Sequence, residues 1–184
     1  MKFTIHCLSR CGALAFLLAA GQVCASEYGC KVLLCLANPA SNGGPRGIAE
    51  CVPPINRLFD DLLHGRPFPS CEEAEATGNR AVQVYDPFDP CPAPLEPAEA
   101  IQYIAQGRRN PHAGVFGFAL DGAPQMGTYR QRACVGKIAG SYQIGGADDG
   151  YTVTVFEKVM WQKAQSPRAI DIYQDNVWYQ RLHW

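Results

Sequence analysis

Six cysteines define the chemistry this chain is best equipped for: Cys30, Cys35, Cys51, Cys71, Cys91 and Cys134. Three others, Cys7, Cys11 and Cys24, fall in a stretch with the features of an export leader. There Lys2 and Arg10 supply positive charge, Gly12 to Ala20 is a short apolar run, and Val23-Cys24-Ala25 is a small-residue cleavage triplet. Cleavage after Ala25 is expected, so residues 1–25 read as a signal peptide and leave an even number of thiols. In an oxidising compartment these read as three disulfides whose pairing the sequence leaves open. Each bridge adds about 2 to 4 kcal/mol by restricting the unfolded chain. The alternative, a lipid-modified Cys24, fits poorly because Gly21-Gln22-Val23 departs from a lipobox such as Leu-Ala-Gly. A zinc site is also disfavoured, since ligand sets usually contain a CxxC or HxxxH pair and the sequence has neither.

Carboxylate chemistry is the second option. A glycan hydrolase needs one protonated acid and one base or nucleophile. Glu50 beside Cys51, with Asp60 and Asp61 on the following helix, are the candidates. The simpler reading makes Glu50 a helix-surface charge and Asp60/Asp61 a solvated face. His64 near a helix C-terminus complements the dipole, while His112 and His183 lie in unlike segments and suggest no ligand set. No GxSxG elbow is present, and paired cysteines are not nucleophiles. The sequence therefore assigns no catalytic residue, metal or cofactor. The candidate partner surface is the aromatic tail, with Trp161, Trp178, Tyr179 and Trp184 together with Tyr173, since tryptophan and tyrosine are enriched at the energetic centres of interfaces. The competing reading is that these rings close the core of a small sheet.

Charge narrows the partners. Removing Lys2 and Arg10 from the 16 basic residues of the 184-residue chain leaves 14 against 17 acids, a net charge of −3. The basic residues are dispersed, apart from Arg108-Arg109 and Arg130/Arg132, so nucleic acid is not an expected partner. No segment after the leader is long and apolar enough to span a bilayer. The remaining 159 residues suit one exported domain, 26–184, that buries about 70% of its unfolded surface.

The elements that must hold the cysteines can be read in turn. Cys30 to Ala37 is a compact apolar run, and Cys30 and Cys35 would stand about 140° apart on a helix, so each should bond elsewhere. Asn38 to Gly44 is dense in turn residues; Pro45 then suits the first turn of a short helix holding Ile48 and Cys51, and Pro53-Pro54 forces a stop and restart. Ile55, Leu58, Phe59, Leu62 and Leu63 form one apolar stripe, with Gly65 as its C-terminal cap. Arg66 to Cys71 must be extended. Residues 72 to 97 read as a polar, proline-rich loop anchored to the helical part by Cys91. A second amphipathic helix is expected from about Pro97 to Gln106, with Ile101 and Ile104 facing the first helical cluster. Beyond Gly107 the pattern turns to β: Tyr151 to Gln162 alternates as a strand, and Ala169–Tyr173 and Val177–Leu182 flank the turn Gln174-Asp175-Asn176. The expected fold is α+β: a disulfide-stabilised helical part, 26–107, followed by a small antiparallel β-sheet formed by the C-terminal part, 108–184.

The segment CKVLLCLA, a Gly/Pro turn, ECVPPI, a helix and GRPFPSC resembles the TrbM/KikA/MpfK family of conjugal transfer proteins, most strongly from Cys30 to Cys71. The resemblance implies an exported, periplasmic component of plasmid conjugation, associated with mating-pair formation by a type IV secretion apparatus. Its implied partners are envelope or type IV secretion proteins, and its implied mode is protein contact without catalysis. A peptidoglycan-active enzyme is the alternative, as is a toxin-like killer factor suggested by the KikA branch.

Overall fold

The computed structural model describes residues 27–112, 116–146 and 148–184. The expected signal peptide and cleavage after Ala25 lie outside the described residues. The fold is α+β, with one helical region and several largely antiparallel sheets.

Helix α1 (Glu27–Leu36) buries Val32, Cys35 and Leu36. Asn38 ends it: its buried side-chain amide donates to the carbonyls of Asn42 and Gly44, folding the glycine-rich turn back on itself. Gly47 is required in that turn, because a Cβ there would lie 1.8 Å from the Asn42 carbonyl oxygen. Two short 3-10 turns, Gly44–Arg46 and Ala49–Cys51, lead into helix α2 (Val52–Leu63). Pro53 and Pro54 sit in its first turn, where a missing N–H costs little, so they open the helix instead of interrupting it. Ile55, Leu58 and Leu62 form its buried stripe. At its end Gly65 adopts φ +70°, the Gly65 amide donates to the Leu62 carbonyl and the Arg66 amide to the Asp61 carbonyl, a Schellman motif. Cys30 pairs with Cys71 and Cys35 with Cys51, so α1 is tied to both ends of the α2 segment.

The expected loop over 72–97 instead contains a one-turn helix, α3 (Glu72–Glu75), and two strands, β1 (Arg80–Tyr85) and β2 (Glu96–Pro97). The expected second helix is overturned. Residues 97–106 contribute to β2 and to β3 (Tyr103–Arg109), in which Ile104 and Ala105 point to two different buried clusters, as period 2 requires. Strands β4 (Phe118–Leu120), β5 (Gln125–Met126), β6 (Gln131–Val135), β7 (Ile138–Ile144) and β8 (Tyr151–Phe156) follow. The last three are β9 (Val159–Lys163), β10 (Arg168–Gln174) and β11 (Val177–His183). The long strand read over 151–162 is thus two strands, divided at Glu157-Lys158 and belonging to different sheets.

Three sheets result, in the orders β1-β10-β11, β2-β6-β9 and β4-β3-β8-β7, with β5 also on β3. All pairings are antiparallel except β3 with β8. The helices do not form a core of their own. Ile170 and Ile172 of β10 are buried with Val32, Leu36, Ile55 and Leu58, and Gln180 of β11 donates to the Leu36 carbonyl at 2.7 Å. Cys91 is bonded to Cys134 of β6, so it ties the proline-rich segment to a β-sheet and not, as expected, to the helices.

Candidate functional site at the C-terminal hairpin

The hairpin turn is built by Asp175 and Asn176, both with positive φ (50° and 64°), the geometry that matches the twist of two-residue β connections. Register then fixes what each face presents. Ile170 and Ile172 face the helices, so the alternating residues face away from them. On that outer face Arg80, Tyr173 and Trp178 stand side by side across the three strands, followed by Val82, Asp171 and Arg181. Arg80 lies 4.2 Å over the Tyr173 ring and donates to Asn176 Oδ1 at 2.7 Å. A register shift leaves Tyr179 opposite no residue, a bulge that re-aims the edge strand. Val177, Trp178 and Tyr179 are exposed in consequence, at 68%, 39% and 37%.

Beside this ridge, in the next row of the same face, lies a buried ion pair. Asp171 is 4% exposed, and Arg181 grips it with two parallel bonds, Nε to Oδ1 at 2.7 Å and Nη2 to Oδ2 at 2.8 Å. The third guanidinium nitrogen donates to Asp86 at 3.0 Å and to the Phe88 carbonyl. Hydrogen bonding to Asp171 pushes the Arg181 guanidinium above its ordinary pKa, against the opposing effect of burial. At Asp86, burial pushes the carboxyl up, but the Phe88 amide and the cations Arg181 and Arg132 outweigh it and hold the group below the usual carboxylate range. Trp178 Nε1 reaches Asp171 Oδ1 at 3.3 Å, so the exposed indole is oriented by the buried charge. Around the same loop, Arg132 donates to the Asp89 carbonyl at 2.9 Å. His183 lies between the Ser166 carbonyl, at 2.6 Å, and Asp89 Oδ1, at 3.1 Å. The arrangement fixes segment 86–89 across the sheet and presents a rigid aromatic and cationic ridge beside it.

No family model, curated protein or solved structure matches the chain.

Of the four aromatic candidates, the fold brings Trp178 and Tyr179 together and separates the other two. Trp161 packs beside Ile104, Ala133, Val135 and Phe156 in another sheet. Trp184 turns to the helix side and stacks on Phe59, with ring centroids 5.6 Å apart. Arg80 and Tyr173 complete the ridge. The sequence reading placed Tyr173 in the aromatic tail but missed Arg80, because β1 was hidden in a polar segment.

The carboxylate candidates do not share one environment. Glu50 and Asp60 are exposed, whereas Asp61 is buried and bonded to Arg66, with the Tyr28 hydroxyl donating to it at 3.3 Å. The expectation of a solvated Asp60/Asp61 face therefore fails for Asp61. The Arg66 hydrogen bond holds the Asp61 carboxyl below its ordinary pKa despite burial, aided by Tyr28 and by the charges of Arg66 and Arg57. His64 lies 2.8 Å from the Asp60 carbonyl in the last turn of α2, the dipole-complementing place read from the sequence. His112 is exposed. Among the described residues, no group of three or more His, Cys, Asp or Glu side chains is placed to hold a metal, and no helix is long and apolar enough to cross a membrane. All six cysteines are paired, as expected of an exported protein.

Proposed function

We propose that this chain is an exported accessory component of plasmid conjugal transfer, of the TrbM/KikA/MpfK kind, that acts by protein contact during mating-pair formation in the periplasm. The observation that carries the reading is the hairpin ridge: Trp178 and Tyr179 are exposed on a sheet whose backbone is immobilised by a buried bidentate ion pair. A preorganised aromatic surface loses little side-chain entropy on docking, which is why such anchors dominate interfaces. The resembling segment supports the reading in a second way. Its four cysteines pair among themselves and brace the VPPI helix that supports β10 and β11 from below.

The test is deletion of the gene from a donor plasmid, with mating frequency and pilus production measured in parallel, followed by complementation. Wild type should restore both, and the Trp178→Ala, Tyr179→Ala double variant should restore mating at least about tenfold less well, the loss of one anchor's worth of affinity. Near-UV circular dichroism of the purified variant separates a lost contact from a lost fold. Undiminished mating by the folded double variant would defeat the contact site. Mating unaffected by deletion would defeat the assignment. Clearing of purified murein that is abolished by Glu50→Gln would replace it with an enzyme, and growth arrest confined to export-competent expression would favour the killer-factor reading.

A further inference from the structure

Trp161 has no part in the hairpin ridge, and its surroundings differ in kind. A cavity of about 200 Å³ opens where β3 and β9 meet the loop after β4, lined by Trp161, Ile104 and Val159 on its apolar side and by Gln106, Asp121 and Gln125 among its polar groups. Gln106 is anchored at both ends: its Oε1 accepts the Val159 amide at 2.8 Å and its Nε2 donates to Asp121 Oδ2 at 3.0 Å. The Asp121 amide donates in turn to the Gln106 carbonyl at 2.9 Å. A carboxylate on an exposed loop is therefore fixed through both its side chain and its backbone, while Oδ1 keeps its capacity to accept. Among the described residues, neither the Gln125 amide nor the Trp161 indole N–H has a hydrogen-bond partner.

We propose that this cavity is a binding subsite for one neutral sugar ring. The volume is below the range of drug-sized sites and suits a single ring. A pyranose has an apolar C–H face to lie on an indole and a rim of hydroxyls that both donate and accept. Those hydroxyls match the groups present here: Asp121 accepts and the Gln125 amide does either, while Trp161 supplies the apolar face. An alkylammonium only donates, and would leave the Gln125 amide N–H without an acceptor. An acidic sugar would bring its charge against the Asp121 carboxylate. The subsite is separate from the hairpin ridge and does not depend on the function proposed for it.

The test follows the indole N–H signals of the oxidised protein by NMR during titration with the neutral disaccharide N,N′-diacetylchitobiose and, separately, with n-butylammonium. Trp161→Phe assigns the signal. The disaccharide should shift the Trp161 signal saturably with a midpoint on the order of millimolar, and Asp121→Ala and Gln125→Ala should each weaken binding by about tenfold, as expected for one lost polar contact. Asp121 and Gln125 are exposed, so both variants are expected to fold, and Trp178→Ala should leave the titration unchanged. Absence of any shift up to about ten times that midpoint overturns the proposal. A shift indifferent to both alanine variants, or one produced by butylammonium alone, does so equally.

Discussion

Replacing Arg181 by leucine is the most informative single perturbation of the fold. The substitution leaves the Asp171 carboxylate 4% exposed with only the Trp178 indole N–H, at 3.3 Å, still directed at it. It also removes the side-chain donor to the Phe88 carbonyl and one of the two guanidinium groups near Asp86. Breaking a buried pair by removing one partner costs about 3 to 5 kcal/mol, because the surviving charge stays desolvated. With a urea dependence of about 2 kcal/mol per molar, the unfolding midpoint of the oxidised protein should fall by roughly 2 M. Removing the stranded charge as well, in Asp171→Leu with Arg181→Leu, should recover at least about half of that loss, since a well-packed apolar pair often matches a buried ion pair. Equilibrium urea unfolding followed by tryptophan fluorescence measures both. A loss under about 1 kcal/mol for Arg181→Leu, or a double variant no more stable than the single, would refute the argument that the pair is desolvated and mutually dependent.

Other outcomes follow from the same geometry. The Cys35–Cys51 bridge closes 16 residues and Cys91–Cys134 closes 43, so replacing each pair by serine should cost about 3 and about 4 kcal/mol, in that order, in denaturant titrations. The Asp61 carboxyl is held below its ordinary value in the folded protein, so its contribution is fully present above the carboxylate range and disappears as pH falls through the lowered value. Stability of the wild type should therefore decline below about pH 4, and the decline should be shallower in Asp61→Asn when both are followed by thermal unfolding across that window.

What the sequence disclosed was the structure enforced by local rules. The stripe from Ile55 to Leu62, the Gly65 cap and the strands on either side of Asp175-Asn176 are each set by period or turn chemistry within a dozen residues. Residues 97–106 misled for a physical reason: Pro97 mimics a helix start, and Ile101 and Ile104, three apart, mimic one face. In the fold Ile101 is 78% exposed, and the strand is chosen by pairing with Val153 to Phe156, some fifty residues away. Strand β1 was hidden because it lies at a sheet edge, where Val82 and Tyr85 stay exposed and the alternation is weak. At the site, the aromatic half could be named from residue type, but the charged half could not. Nothing in the local sequence marks Asp171 and Arg181 as a pair; register alone places them opposite each other beside segment 86–89.

The sharing of one apolar cluster by α1 and β10 has a consequence for a chain made from its N-terminus. Val32, Ile55 and Leu58 are synthesised first, yet the side chains that seal them, Ile170 and Ile172, follow only after the intervening sheets have been made. A nascent polypeptide halted before Arg168 can close the short Cys35–Cys51 circle but leaves the greasy underside of its helices open to water. Strand β10 is thus the lid of the helical cluster, and a product lacking it carries that apolar surface uncovered.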